Sequence, residues 1–217
     1  HDWAEGWKQY FKPLKIGRRL WIVPTWETTF EPPRGSLVLL CDPGMAFGTG
    51  QHATTSLCLK AIELFADTWV PADKARAQVL DFGCGTGILG IAAAKLGFGR
   101  VVGIDNDPLA VQATDDNIRL NGVADRMAAS DAAVGDVGET FDLVVANILA
   151  VTLNELADLV LRRVKPGGTL VLSGILATQA DEVIRTYERA AGRAALPFRF
   201  EGRWTHGEWV ALRFHAS

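Results

Sequence analysis

A chain of 217 residues, 48% hydrophobic and 22% charged, suits one domain of moderate size with a full core, and this composition excludes a disordered chain. With 22 Lys and Arg against 25 Asp and Glu, the net charge of −3 argues against a general nucleic-acid binder, which needs a basic surface to neutralise phosphates. No apolar run reaches the length of a membrane span and no signal-peptide pattern opens the chain; Cys41, Cys58 and Cys84 lack the paired spacing of a zinc site, so reduced thiols in a cytoplasmic protein are expected.

In chain order, residues 1–50 read as an N-terminal linker or extension. Trp3, Trp7, Trp21 and Trp26 crowd there with several prolines, and "RRLWIVP" and "SLVLLC" have the look of short strands joined by a Pro-rich turn. Such a segment buries little by itself, so it is expected to pack on the remainder, residues 51–217. The stretch "CDPGMAFGTGQHATTS" carries Gly44, Gly48 and Gly50 and leads into a helical pattern, as a loop does where backbone approaches a ligand. From residue 78, apolar strands alternate with helices: "AQVLDFGCGTG" then "ILGIAAAKLG", "RVVGIDND" then "PLAVQATDDNIRLNG", then "RMAAS" and "FDLVVAN". A helix over "LNELADLVLRRVKPGG", stopped by Pro166-Gly167-Gly168, precedes a strand "TLVLSG" and a helix "TQADEVIRTYERAAG". "PFRFEGRW" and "EWVALRF", separated by "THG", close the chain as an antiparallel hairpin. This order predicts an α/β fold, a Rossmann-like doubly wound, mainly parallel seven-stranded sheet with an antiparallel C-terminal hairpin strand.

In such sheets ligands bind beyond the carboxyl ends of the strands, where the strand order reverses. The first turn, Asp81-Phe-Gly83-Cys-Gly85-Thr-Gly87, lies at such an end, and two readings of it stand. Gly85-Thr-Gly87-Ile-Leu-Gly90 matches the dinucleotide fingerprint, with Asp105 following 20 residues after Gly85, which suggests an NAD-type oxidoreductase. Taken whole, the unit begins with a carboxylate where a pyrophosphate would be repelled, which suits a ligand carrying an ammonium group. A phosphate-binding P-loop is disfavoured because no Lys-Ser or Lys-Thr pair follows.

The whole unit resembles motif I of class I S-adenosylmethionine (AdoMet) methyltransferases. With "DPGMAFGTGQHATT", "GIDNDPLAV", "VVANILA" and the closing "GEWVAL", the chain resembles the PrmA family, the bacterial methyltransferases of ribosomal protein L11, most densely over residues 41–149. The opening "DWAEGWKQYFKP" resembles that family's linker into its catalytic domain; the family's separate N-terminal recognition domain has no counterpart in the sequence, so the chain is expected to be the catalytic domain with its linker. The resemblance implies that AdoMet is held between the opening loop and the glycine turn. Gly83 and Gly85 would let backbone approach its methionine portion, Asp81 would act through the turn or the ligand's ammonium, and Asp105, with Asn106 beside it, would accept from the ribose hydroxyls. Thr55, Thr49 and His52 are carried over as cofactor contacts, although His52 also stands where a helix cap would be. Asp131 either lines the adenine pocket or is a solvated loop acid. By the same resemblance Asn147 would touch the cofactor and orient the substrate amine, in the manner of the Asn-Pro-Pro-Tyr motif of other amino-group methyltransferases; Ile148-Leu149-Ala150 replaces its remainder, so Phe47 is the candidate aromatic wall.

The implied reaction is AdoMet-dependent N-methylation of lysine ε-amines and the N-terminal α-amine of ribosomal protein L11, yielding S-adenosylhomocysteine without a metal. Direct nucleic-acid or membrane binding is not expected. Besides the oxidoreductase, a non-catalytic AdoMet-binding module is the remaining alternative.

Overall fold

A computed structural model of the chain describes residues 11–42 and 52–217. Three short strands come first: β1 (Leu14–Ile16), β2 (Leu20–Val23) and β3 (Leu37–Leu40). They form their own sheet, with β1 antiparallel to β2 and β2 parallel to β3. Strand β1 was not foreseen, because three residues between Pro13 and a glycine turn carry no readable periodicity.

The main sheet contains β4 (Gln78–Phe82), β5 (Arg100–Ile104), β6 (Met127–Ser130), β7 (Phe141–Asn147), β8 (Val164–Leu176), β9 (Phe198–His206) and β10 (Trp209–Ala216). Their order is β6-β5-β4-β7-β8-β10-β9, with β4 to β8 mutually parallel and β10 antiparallel to both neighbours. This is the expected doubly wound architecture. The hairpin is tighter than read: His206 pairs with Trp209, leaving a two-residue loop in which Gly207 has φ +59°.

Among the described residues, the α-helices are α1 (Ala53–Ala66), α2 (Pro71–Lys74), α3 (Ile88–Lys95), α4 (Pro108–Leu120), α5 (Ala150–Glu155), α6 (Ala157–Leu161) and α7 (Ala180–Arg193). Alternation along the buried strands sorts side chains to two faces. Val79, Leu143, Val145 and Val171 pack with α1, α3 and α4, whereas Leu80, Val144, Leu170 and Leu172 pack with α5, α6 and α7. Ile16, Leu20, Ile22 and Leu39 of the N-terminal strands join the first of these cores. The boundary drawn at residue 50, like Trp3 and Trp7, falls outside the described residues.

One sequence expectation is corrected. The helix read over residues 153–165 is two helices that begin earlier and change direction at Leu156, and β8 starts at Val164, ahead of Pro166-Gly167-Gly168. The sheet absorbs this tract through an irregularity between Phe141 and Leu143, where β7 pairs with β8. Bulges are where a strand tolerates proline and glycine.

Glu63 on α1 fastens the small sheet to the large one. Its carboxylate is buried and accepts from the backbone N–H of Arg18 (2.7 Å) and of Arg19 (2.8 Å), in the turn between β1 and β2. Gly17 in that turn has φ +63°, and a Cβ there would collide with Glu63 Oε2. Glu63→Ala is expected to cost about 3 kcal/mol, since two backbone donors lose a buried charged acceptor. In thermal denaturation that appears as a midpoint lower by roughly 6–12 °C.

Candidate active site

Chain order reverses between β4 and β7, because β5 and β6 extend the sheet to one side before the chain returns. The pairing of Phe82 with Ala146 places Gly83 and Asn147 next to each other at the strand ends. A cleft of about 790 Å³ opens there, walled by α1, the glycine turn, residues 132–135, the α5–α6 pair and Trp209.

The glycine turn is held from inside and beneath. Gly83 and Cys84 both donate backbone N–H to Ile104 O, at 2.8 and 3.0 Å. Gly83, Gly85 and Gly87 have φ of +69°, +56° and +77°, backbone that other residues adopt only with strain. A Cβ on Gly83 would also stand 2.5 Å from Ile148 Cγ2. From α4, Thr114 Oγ1 donates to Gly85 O (2.9 Å) and Asn117 Nδ2 donates to Thr86 O (2.9 Å). Asn121 on the same helix face grips Leu40, accepting its N–H and donating to its carbonyl. The reading of α4 missed these three, although polar residues at 114, 117 and 121 beside Ile118 follow the spacing of a buried helix face.

Asp105 ends β5 facing the cleft. Its Oδ2 accepts from Gly85 N–H (3.0 Å) and its Oδ1 from Asp107 N–H (3.0 Å). Two backbone donors fix the carboxylate, and each oxygen keeps a lone pair for a ligand. Asn106 lines the cleft beside it.

Asp81 does not reach the cleft. It is fully buried beneath the turn; Oδ2 accepts from Gly90 N–H (2.9 Å) and Oδ1 has no partner among the described residues. Burial pushes its carboxyl up to about 7, opposed by the Gly90 N–H and reinforced by the charge of Asp105. Unfolded, the group titrates at its ordinary value of 3.8. Between these values the folded chain holds more protons than the unfolded one, so stability falls as pH rises from about 4 to about 7 and levels off above. Asp81→Asn is expected to flatten that slope, measured as denaturant midpoints at several pH values across the window.

On the opposite wall, His52 is the N-cap of α1. Its Nδ1 lies 2.8 Å from Thr54 Oγ1, and its ring meets Trp209 edge-on at 5.3 Å. His52 therefore caps the helix and lines the cleft at once. Thr55 and Asn147 meet across the cleft floor, with Asn147 Nδ2 donating to Thr55 Oγ1 (3.1 Å). Asn147 Oδ1 is buried and has no partner among the described residues. Asp131 is exposed, and the cleft is lined by the residues after it, Ala132 to Gly135. Phe47 and Thr49 lie outside the described residues.

The structure thus gathers His52, Thr55, Gly83, Gly85, Asp105, Asn106 and Asn147 around one cleft. It adds Trp209, whose place at the far end of the chain gave sequence reading no link to the opening loop. No Lys or Arg is among the described residues lining the cleft. Among the described residues, no group of three or more His, Cys, Asp or Glu side chains is placed to hold a metal ion, and no helix is long and apolar enough to cross a membrane. Cys41, Cys58 and Cys84 are free and buried.

Comparison with known proteins gives a consistent answer. Residues 1–217 match the family described as "Ribosomal protein L11 methyltransferase (PrmA)". The protein of that name from Pelobacter propionicus is 46% identical over 218 residues, covering 100% of this chain and 67% of the relative; one from a Geobacter species is 51% identical over 175 residues, covering 81% and 56%. This chain therefore spans about two thirds or less of these relatives' length. The crystal structure of a ribosomal protein L11 methylase from Lactobacillus delbrueckii subsp. bulgaricus superposes with a TM-score of 0.80 at 32% identity, covering 95% of this chain and 100% of that one. A magnesium protoporphyrin IX methyltransferase from Synechocystis, solved with bound SAM, shares the fold at a TM-score of 0.58 and 14% identity, over 81% of this chain and 86% of that one.

Proposed function

The chain belongs to the ribosomal protein L11 methyltransferase family, and from that membership we propose that it transfers methyl groups from AdoMet to lysine ε-amines and the N-terminal α-amine of ribosomal protein L11 in the cytoplasm. Residues 51–217 act as the methyltransferase domain and residues 1–50 as its linker, of which the described strands β1–β3 pack on the domain. The observation that carries the reading is the meeting of the fixed Asp105 carboxylate, the glycine turn and the unpartnered Asn147 Oδ1 at one strand-end cleft. Family membership favours this chemistry over the NAD-type oxidoreductase, which rested on the glycine spacing alone.

The residues present fit AdoMet. Asp105 offers two oriented acceptors to ribose hydroxyls, with Asn106 beside it. Gly83 and Gly85 leave backbone bare of Cβ atoms at the turn, and Asp81, buried beneath it, acts through the turn by holding Gly90 N–H. Thr55 and His52 close the opposite side, and residues 132–135 form an apolar bed suited to adenine, with Asp131 at its exposed margin. Thr49 and Phe47 are assigned to the same site by family resemblance. When bound, the cofactor supplies a methyl group on a sulfonium, whose departure as a neutral thioether needs no acid.

What the protein must supply is a neutral, aimed amine. A lysine amine has an ordinary pKa of about 10.4 and an α-amine about 7.7–8.0, so the reactive form is the minor one for lysine at neutral pH. The apolar walls, Ile148, Leu149 and Trp209 among them, disfavour the charged ammonium by desolvation. Asn147 Oδ1 accepts an N–H of the amine and turns its lone pair towards the methyl group, a proximity effect. Trp209 supplies an aromatic side chain to the cleft wall. Equilibrium binding tests the cofactor assignment: affinity for AdoMet and S-adenosylhomocysteine is expected, and affinity for NAD(H) without either of these would reverse it.

A further inference from the structure

The α5–α6 wall carries exposed apolar side chains on its solvent side as well as apolar side chains on its cleft side. Leu149, Thr152, Leu156 and Leu159 line the cleft, yet Leu149 is 66% exposed, Val151 60% and Leu159 38%. The other exposed large apolar side chains among the described residues, Leu64, Val70, Leu109 and Leu120, belong to other parts of the chain. An amphipathic surface helix normally turns polar residues outward, so a run of exposed apolar side chains at a cleft mouth marks an interaction site. The segment after β6 borders the same strip, because a Cβ on Gly135 would touch the Leu159 methyl groups at 3.7 and 3.8 Å.

Carboxylates outnumber the free cations around this strip, where Arg162 at the end of α6 is exposed as well. Asp131, Asp136 and Glu155 are exposed and form no ion pair among the described residues. Nearby carboxylates that leave the mouth are neutralised: Asp158 by Arg193, with contacts of 2.9 Å to both oxygens, and Glu139 by Arg100. An apolar strip edged by unpaired carboxylates, opening into a cleft without Lys or Arg, complements a cationic chain segment with an apolar anchor.

We propose that the outer face of α5 and α6, with the segment 131–136, is the docking surface for the stretch of L11 that carries the target amine. This rests on the methyl-transfer reading above. The carboxylates draw in the basic segment while its amine is still protonated. Contact with Leu149, Val151 and Leu159 then excludes water from the mouth, which favours loss of that proton to bulk solvent before the amine reaches Asn147.

The test uses Val151→Lys/Glu155→Lys and, separately, Asp136→Lys, none of which lines the cleft. For either variant KM for L11 is expected to rise about tenfold, because like charges then face each other across the contact. AdoMet affinity, kcat, and KM for the blocked amino acid N-acetyl-lysine methylamide are expected to stay at the parent's values, which also shows that the variants fold. Unchanged KM for L11 would overturn the docking surface while leaving the enzymatic reading intact. A KM that rises equally for the blocked amino acid would overturn it too, since the effect would then lie in the cleft. So would a parent dimer that the variants split without a change in KM, because a second copy would then own the strip. A parent chain that transfers no methyl to L11 at all would overturn both readings.

Discussion

Asp105→Asn is expected to weaken AdoMet binding by roughly ten- to a hundredfold, because a hydrogen bond to a charged group is worth about 1.5–3 kcal/mol and the substitution removes the charge. The geometry makes the loss hard to repair. In the native chain one carboxylate oxygen takes Gly85 N–H and the other takes Asp107 N–H, both at 3.0 Å. An amide has only one acceptor atom, so its NH₂ must face one of these donors. Either the glycine turn loosens or the chain entering α4 does, and the ribose side of the site loses a charged acceptor as well. Isothermal calorimetry reads the change directly. An unchanged dissociation constant would remove Asp105 from the cofactor site.

Asn147→Ala is expected to lower kcat by roughly a hundredfold, the penalty typical of a reactant no longer held in line, while AdoMet affinity changes by a few-fold at most. The reason is that its buried Oδ1 has no partner among the described residues, whereas its Nδ2 already holds Thr55 Oγ1. An unsatisfied acceptor in a buried position is costly unless something arrives to use it, and a substrate N–H does so as the reaction proceeds. Thr55→Val separates the two halves of the side chain: it cuts the Nδ2 contact, leaves Oδ1 in place, and should spare most of kcat. Single-turnover kinetics at saturating AdoMet distinguishes the two variants. Full kcat in Asn147→Ala would end the amine-aiming role.

The sheet was legible because its strands are short, apolar and bounded by turn residues. "FDLVVAN" is buried on both faces and reads as a central strand from composition alone. The glycine turn was legible for a related reason: three glycines in alternate positions are needed where the backbone runs at positive φ. What stayed hidden depends on contacts distant in sequence. Glu63 reads as one polar residue on an amphipathic helix, and only the fold shows two backbone donors of the β1–β2 turn meeting it. Trp209 becomes a site residue only because β10 inserts between β8 and β9, an order the alternation of elements does not encode. For Asp81 the sequence left open whether it acts through the turn or on the ligand's ammonium; its side chain lies under the turn on Gly90 N–H, a choice of strand face that the sequence does not encode. The break at Leu156 was missed because both halves of the helix keep apolar residues towards the core.

The most direct test of the central claim is the intact mass of ribosomal protein L11 after incubation with this chain and AdoMet. A rise by whole methyl increments is expected, located on lysine side chains and the N-terminal amine, and much reduced with Asn147→Ala. A mass that stays unchanged, while the chain is shown to be folded and to bind AdoMet, would contradict it.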